Sequence, residues 1–441
     1  MTRWLGIALA LGMMLGCDGV PGSLASDTAA DEAKRRHRWG FDGGTGTDGG
    51  AGPDGGGGTA TGGGSATGGG TAEGGGSGTG GGTAEGGGTA TGGGTAAGGG
   101  TAAGGGTGGG GTGTAGTLPR GWLFTQGNKV HVSDGAGAGP VWMGRGVNID
   151  DVFMCGYNWN LSVANPQAAM TDILANVMAD WKPSFLRVQM GLNSYTPVSW
   201  TSNPAQYRDP MVNLVKAIGA YPGTYVLVTL RSDVSMMRLC TMAADATCLP
   251  NTSTSSDDFY RSIVDSFATM PHVLLSVANE PGGGSATDED LRAVMTHALT
   301  VIRAEEDRLG VPHHVVSVQG NMWTSRIGFY DAAPLPFDNV VYEYHSYPPE
   351  ATGLYGYTWP NLPVIIGEYG PHNGPVTDTE TLPGADAFYA DLEAKQIPNL
   401  AWDISPYSNC APDMVARTMS STLTPVAWGA TVKGYLAQHA P

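Results

Sequence analysis

Residues 273–281 read Val-Leu-Leu-Ser-Val-Ala-Asn-Glu-Pro, an apolar run that stops abruptly in an amide, a carboxylate and a proline. Val273 to Ala278 offers apolar side chains to both faces of an extended chain. That suits a strand of a parallel sheet with helices on its faces. Pro281 halts any continuation, so Asn279 and Glu280 are left where the strand quits the core. Residues 363–370, Pro-Val-Ile-Ile-Gly-Glu-Tyr-Gly, repeat the design and end it in Glu368. The two glutamates are 88 positions apart (368 − 280), room for three strand–helix units.

Strands of the same kind recur along the chain, at 141–149, 183–190, 224–231, 272–278, 313–319, 339–345, 363–367 and 399–403. Helical patterns separate them. The clearest runs from Thr287 to Leu309, with Leu291, Val294, Met295, Ala298, Leu299 and Ile302 on one face and three acids in its first turn. Others are expected at 167–181, 209–220, 257–270 and 385–395. Eight strands alternating with helices specify an α/β fold, a (β/α)8 TIM barrel. Gln126-Gly127-Asn128 between two short strand patterns signals a hairpin, placed at the bottom of the barrel. An open doubly wound sheet is the alternative. A Gly-x-Gly-x-x-Gly run at a first strand–helix turn is missing, which counts against a dinucleotide-binding version.

Glycine is 72 of the 441 residues, too many for one globular unit. Residues 1–17 have a basic start, a short apolar core and a small residue before Cys17, the pattern of an export signal. Met14-Leu15-Gly16-Cys17 resembles the lipobox of bacterial lipoproteins, which implies cleavage before Cys17 and a lipid on its thiol. Residues 18–117 follow as a linker, and from Gly43 onward they are mostly Gly, Thr and Ala in loose six-residue units. Such a segment buries nothing that would offset its ordering entropy. Its 75 residues from 43 to 117 would span about 50 Å as a flexible tether. The globular domain is expected at 118–441. The expected location is extracytoplasmic, the protein being lipid-anchored to the cell envelope or secreted.

Formal charge is −17, from 39 acids against 22 bases. That argues against nucleic acid and favours a neutral partner. Beyond Cys17, the cysteines are Cys155, Cys240, Cys248 and Cys410, an even number that in an exported chain favours disulfides over metal ligation. In a closed barrel the first and eighth strands are neighbours, so the expected pairs are Cys155–Cys410 and Cys240–Cys248. Zinc-type cysteine–histidine spacing is absent, and neither a metal nor a cofactor is expected. The chain is expected to be a monomer.

Barrel enzymes keep their chemistry at the C-terminal ends of the strands. Those ends read Asn148, Arg187, Arg231, Asn279-Glu280, Gln319, His345 with Tyr347, Glu368 and Trp402. Two carboxylates so placed are what glycoside hydrolysis needs, one as proton donor and one as nucleophile. In this order the residues resemble glycoside hydrolase family 5, the cellulase family, over nearly all of residues 118–441.

The resemblance implies Glu368 as nucleophile, kept ionised by Arg187 and Tyr347. It implies Glu280 as acid/base, its pKa raised by lost solvent and by the facing Glu368. Asn279 would bind the sugar 2-hydroxyl, His345 would orient the acid/base, and Trp402 would present its indole to a pyranose ring. A histidine usual in the family at the end of the third strand is replaced by Leu230-Arg231-Ser232-Asp233, so Arg231 or Asp233 is the candidate to take its contacts. Trp159, Trp200, Trp323 and Trp359 are read as loop aromatics of the active face, half of them as loop anchors. His313 and His314, at the start of a strand, are read as structural.

The implied activity is that of a retaining, endo-acting β-glycoside hydrolase. Its partners would be a β-glucan, cellulose or mannan and, through the lipid, a membrane. Alternatives are a clan relative acting on a small glycoside or glycolipid, a carbohydrate-binding surface lipoprotein without catalysis, and a surface protein whose functional part is the Gly-rich segment.

Overall fold

The computed structural model describes residues 118–136, 139–149, 165–191, 200, 204–231, 256–281, 287–347, 359–372, 376–407 and 412–440. The signal and Gly-rich segments, Cys17, Cys155, Cys240, Cys248, Cys410, Trp159 and Asp233 lie outside the described residues, as does the side chain of Arg231.

Eight parallel strands close into a barrel: β3 (Arg145–Ile149), β4 (Phe185–Gly191), β5 (Tyr225–Arg231), β6 (Val273–Ser276), β7 (Val316–Gln319), β8 (Val340–Ser346), β9 (Val364–Tyr369) and β10 (Asn399–Ile404). Each pairs with its neighbour in sequence, and β10 returns to β3. The expected (β/α)8 architecture is therefore the observed one. Helices α1 (Pro166–Asn176), α2 (Arg208–Ile218), α3 (Ser256–Phe267), α4 (Asp288–Leu309) and α5 (Ala385–Lys395) follow β3, β4, β5, β6 and β9. The periodicity read from sequence places each of them. A π-helical turn at Val177–Trp181 extends α1. Thr287 caps α4 reciprocally with Asp290, accepting from its backbone N–H while the Asp290 carboxylate accepts from Thr287 N–H.

Alternate strand residues divide between two cores. Leu186, Val188, Val226, Val228, Leu275 and Ile366 pack outward against the helices. Phe185, Tyr225, Leu227, Leu274, Val341, Ile365 and Leu400 fill the barrel interior at its N-terminal end, together with Trp142. The hairpin, β1 (Leu123–Gln126) with β2 (Lys129–Val132), adds Leu123 and Val130 to this inner plug. It is fastened by Thr125 N–H to Asn339 Oδ1 (3.1 Å), by the Tyr225 hydroxyl to Gly121 O (2.8 Å), and by Lys129 Nζ to Lys395 O. The bottom is thus sealed, as expected. His313 and His314 belong to this end: His313 pairs with Asp338 and Asp307, and His314 with the buried Glu306.

One helix escaped the periodicity reading. In α6 (Ala427–Gln438), Trp428, Val432, Tyr435 and Leu436 are buried, but apolar residues surround much of the helix and no amphipathic stripe stands out. Its Gly429 packs so closely on Met414 that an added Cβ would lie 1.8 Å from the Met414 carbonyl oxygen.

Candidate active site

With the lower barrel filled by hydrocarbon, the polar strand residues gather at the upper end. Arg187 on β4 is fully buried. Its Nη1 donates to Glu368 Oε1 (2.6 Å) and to Asn148 Oδ1 (2.9 Å), and its Nη2 donates to Asn279 Oδ1 (2.6 Å). Nη2 also lies 3.2 Å from Glu343 Oε1. Asn148 is held in turn by donating to the Gly367 and Ala401 carbonyls, which stitches β3 to β9 and β10. The planar guanidinium thus spans four strand ends, a task suited to its fork of donors.

Glu368 arrives by a register shift. Tyr344 pairs with Ile366 but His345 pairs with Glu368, so Gly367 is an extra residue on β9. A bulge of this kind re-aims the next side chain. Here it turns Glu368 inward while Tyr369 packs outward among Phe388 and Trp428. Glu368 Oε2 accepts from the Tyr347 hydroxyl (2.8 Å), and Oε1 accepts a longer contact from Gln189 Nε2 (3.4 Å).

Glu280 follows β6 with φ +50°, a left-handed conformation uncommon for a non-glycine residue. Its backbone N–H donates to Gln319 Oε1 (2.6 Å), which also accepts from the Thr324 hydroxyl (3.0 Å). Such strain persists only where surroundings hold it. Glu280 Oε1 lies 2.8 Å from His345 Nδ1, and that nitrogen is 3.5 Å from Glu368 Oε2. One oxygen from each glutamate and a ring nitrogen of His345 all lie within 4.8 Å of one another.

The electrostatics follow from burial and these partners. Burial opposes a charged His345, yet the Glu368 charge and the bonds to Glu280 and Glu343 raise it to about 9. Those partners favour the imidazolium form of His345 at neutral pH. Its contribution to stability is fully present below its ordinary value of about 6.5 and is lost as pH rises through about 9. Burial pushes the Glu368 carboxyl up, and the facing Glu280 adds to this; His345, Arg187 and Tyr347 oppose the rise without cancelling it. Burial keeps the Tyr347 hydroxyl protonated far above its ordinary range, so it donates throughout the working range of pH.

This corrects one expectation. Loss of solvent was assigned to Glu280, but Glu368 is the buried carboxylate, its side chain 6% exposed against 28% for Glu280. The aromatic expectations also divide. Trp402 is buried within β10, ahead of a cis peptide bond to Asp403. Trp200 is core, packed on Phe259 and Phe267, with its Nε1 donating to Ser262 (3.1 Å). Trp359 stands before β9, against Tyr344 and near Asn128 and Lys129, at the bottom rather than on the active face. Trp323, 52% exposed, follows β7 on the upper side.

The cellulase family model, glycosyl hydrolase family 5, matches residues 145–408. The chain belongs to this family. Among curated proteins, an endoglucanase of Clostridium saccharobutylicum is 22% identical over 173 residues. That match spans 37% of this chain and about a third (34%) of the relative. Among solved structures, the catalytic domain of Thermobifida fusca endoglucanase Cel5A superposes with a TM-score of 0.54 at 18% identity, covering 72% of this chain and 98% of that one. The β-glucanase SdGluc5_26A of Saccharophagus degradans gives 0.53 at 18% identity, covering 73% and 94%. Similarity at this identity speaks to the barrel alone.

Within this family 5 barrel, Glu280, Glu368, Arg187, Asn279, His345 and Tyr347 meet in one connected network. Sequence reasoning missed Glu343, fully buried on β8 with one oxygen facing Arg187 and His345. The signal was there: a glutamate two residues before His345 in an otherwise apolar strand shares its face.

Proposed function

We propose that the chain is a retaining β-glycoside hydrolase that cleaves a β-linked polysaccharide, a β-glucan or mannan, by double displacement. The spacing of the two glutamates carries this reading. One oxygen of each lies within 4.8 Å of the other, which suits the about 5–5.5 Å separation of a retaining pair better than the about 6.5–9.5 Å of an inverting one. Glu368 is the nucleophile: it is fixed by Arg187 and Tyr347 and has little solvent to lose on attack. Glu280 is the acid/base, partly open to the cleft and oriented by His345, and a bound sugar would strip its remaining water. Asn279, turned by Arg187, binds the 2-hydroxyl, and Trp402 supplies an apolar face for the reacting ring.

Trp323 supports an extended substrate. It sits on a turn in which Met322, Trp323 and Thr324 all have positive φ, and the Thr324 hydroxyl shares Gln319 Oε1 with the Glu280 backbone. An exposed indole tied to the acid/base suits a second sugar. Reducing-sugar release from cellulose, mixed-linkage glucan, xylan and mannan by the purified protein tests the reading. Release with retained anomeric configuration is expected. Inversion would refute double displacement, and inertness on the whole panel would refute the polysaccharide.

The same proposal places the protein outside the cytoplasm, lipidated at Cys17, with bridges Cys155–Cys410 and Cys240–Cys248. Palmitate labelling lost in Cys17→Ser, and non-reducing peptide maps with both cystines, are expected. Unlabelled wild type or free thiols would remove the respective parts.

A further inference from the structure

Three carboxylates, Glu280, Glu343 and Glu368, meet two cations, Arg187 and His345, inside the barrel. Fully ionised, that cluster carries one negative charge in excess, and it is neutral once a single carboxyl holds a proton. We infer that Glu343 is a positioning residue: facing Arg187 and His345 from beneath, it confines the site's proton to the Glu280–Glu368 pair. The inference rests on the proposed acid/base and nucleophile roles of that pair.

Glu343 is sealed from the cleft, its side chain 0% exposed, so it cannot touch substrate. Both its oxygens are committed. Oε1 accepts from His345 Nε2 (3.0 Å) and faces Arg187 Nη2 (3.2 Å); Oε2 accepts from the Ser317 (2.6 Å) and Ser276 (3.2 Å) hydroxyls. No lone pair is left to take a proton cheaply. Burial pushes the Glu343 carboxyl up, but the Arg187 charge and then the His345 bond and charge bring it down to about 2. It is therefore not the carboxyl that holds the proton near neutrality.

A second observation is steric. Gly367, the bulged residue of β9, faces Glu343, and an added Cβ would lie 2.0 Å from Glu343 Oε1. The bulge that aims Glu368 inward also leaves room for the carboxylate beneath it.

The consequence for His345 is geometric as well. Its Nε2 faces Glu343 Oε1 below (3.0 Å), and its Nδ1 faces Glu280 Oε1 above (2.8 Å). An ionised carboxylate only accepts, so with both ionised the ring donates from both nitrogens and is an imidazolium. The groups facing it are Glu343 on its own strand, Glu280 beyond β6 and Glu368 on β9. Arg187 on β4 and Tyr347 act through those carboxylates. With Glu343 neutral, two carboxylates would balance two cations without any proton. The pair would then release its proton, and His345 its charge, at lower pH.

The test is the pH profile of kcat/KM for the full chain on 4-nitrophenyl β-cellobioside, with nitrogen-15 NMR of the His345 ring. Glu343→Gln is expected to move the alkaline limb down by about 1–3 pH units, the effect of one neighbouring charge. Glu343→Asp, which keeps the charge, is expected to restore most of that shift even if kcat falls. A purely structural role would scale activity equally at every pH and leave the limb in place; that result overturns the inference. In the wild type both ring nitrogens are expected to stay protonated at pH 7.5. A neutral ring there overturns the inference even if Glu343→Gln does not fold. Absence of wild-type turnover on this glycoside and on every β-glycan would instead count against the glycosidase reading, and the ring titration would still decide the role of Glu343.

Discussion

Glu368→Ala is expected to abolish turnover on every substrate, a loss on the order of 10⁶-fold, the scale seen when a covalent nucleophile is removed. Glu280→Ala should behave differently. Without a proton donor, natural glycosides with poor leaving groups should slow by about 10²–10⁴-fold. A 2,4-dinitrophenyl glycoside needs no protonation, so its first step should survive and a glycosyl-enzyme should accumulate. Azide is then expected to restore turnover in Glu280→Ala, because a small anion can attack without a general base, and to yield a β-glycosyl azide. In Glu368→Ala azide can act only by direct attack on an activated glycoside, which inverts and yields the α-glycosyl azide, so the anomer formed tells the two glutamates apart. The asymmetry rests on position: Glu368 is buried against Arg187 and Tyr347, and Glu280 keeps access to the cleft. Equal losses in both variants, on every leaving group and without an azide product, would void the assignment.

Arg187→Ala is expected to be the most destabilising single change in the site. The guanidinium is wholly buried and touches Glu368, Glu343, Asn148 and Asn279 at once. Removing it leaves two buried carboxylates short of a partner. Breaking a buried pair from one side costs about 3–5 kcal/mol, to be read as a lower denaturant midpoint at unchanged slope. Activity should fall further than stability explains. The Glu368 carboxyl is already raised by burial, and losing Arg187 raises it again, so more of it is protonated and unable to attack. Arg187→Lys should recover part of the stability but little activity, since one ammonium cannot span the asparagines and carboxylates together. Wild-type stability in Arg187→Ala would show that the network does not hold the site.

Much of this was legible in one dimension, and the reason is local. Val273 to Ala278 and Pro363 to Ile366 are apolar on both faces, which suits a covered parallel strand, and α4 carries its stripe and its cap in consecutive residues. Helix α6 was not legible because its apolar residues surround it rather than line one face. The loop tryptophans were not legible either. Whether an indole such as Trp200 packs on Phe259 or faces a cleft depends on residues 59 positions away.

The sequence by itself determined the succession of covered strands and helices and the strand ends at which Glu280, Glu368, Arg187 and His345 stand, because runs apolar on both faces and period-3.6 stripes mark what each element buries. That the sheet closes into a barrel rather than staying open was decided by the tertiary structure. Tertiary structure alone decided the chemistry of those ends. A one-residue bulge at Gly367 turns Glu368 into the interior, against the simple alternation that strand patterns obey. Closure of the barrel brings Arg187, Glu343 and His345 together from β4 and β8, which are not adjacent strands. Burial and charge at that meeting point set who holds the proton, and neither is a property of any residue read alone.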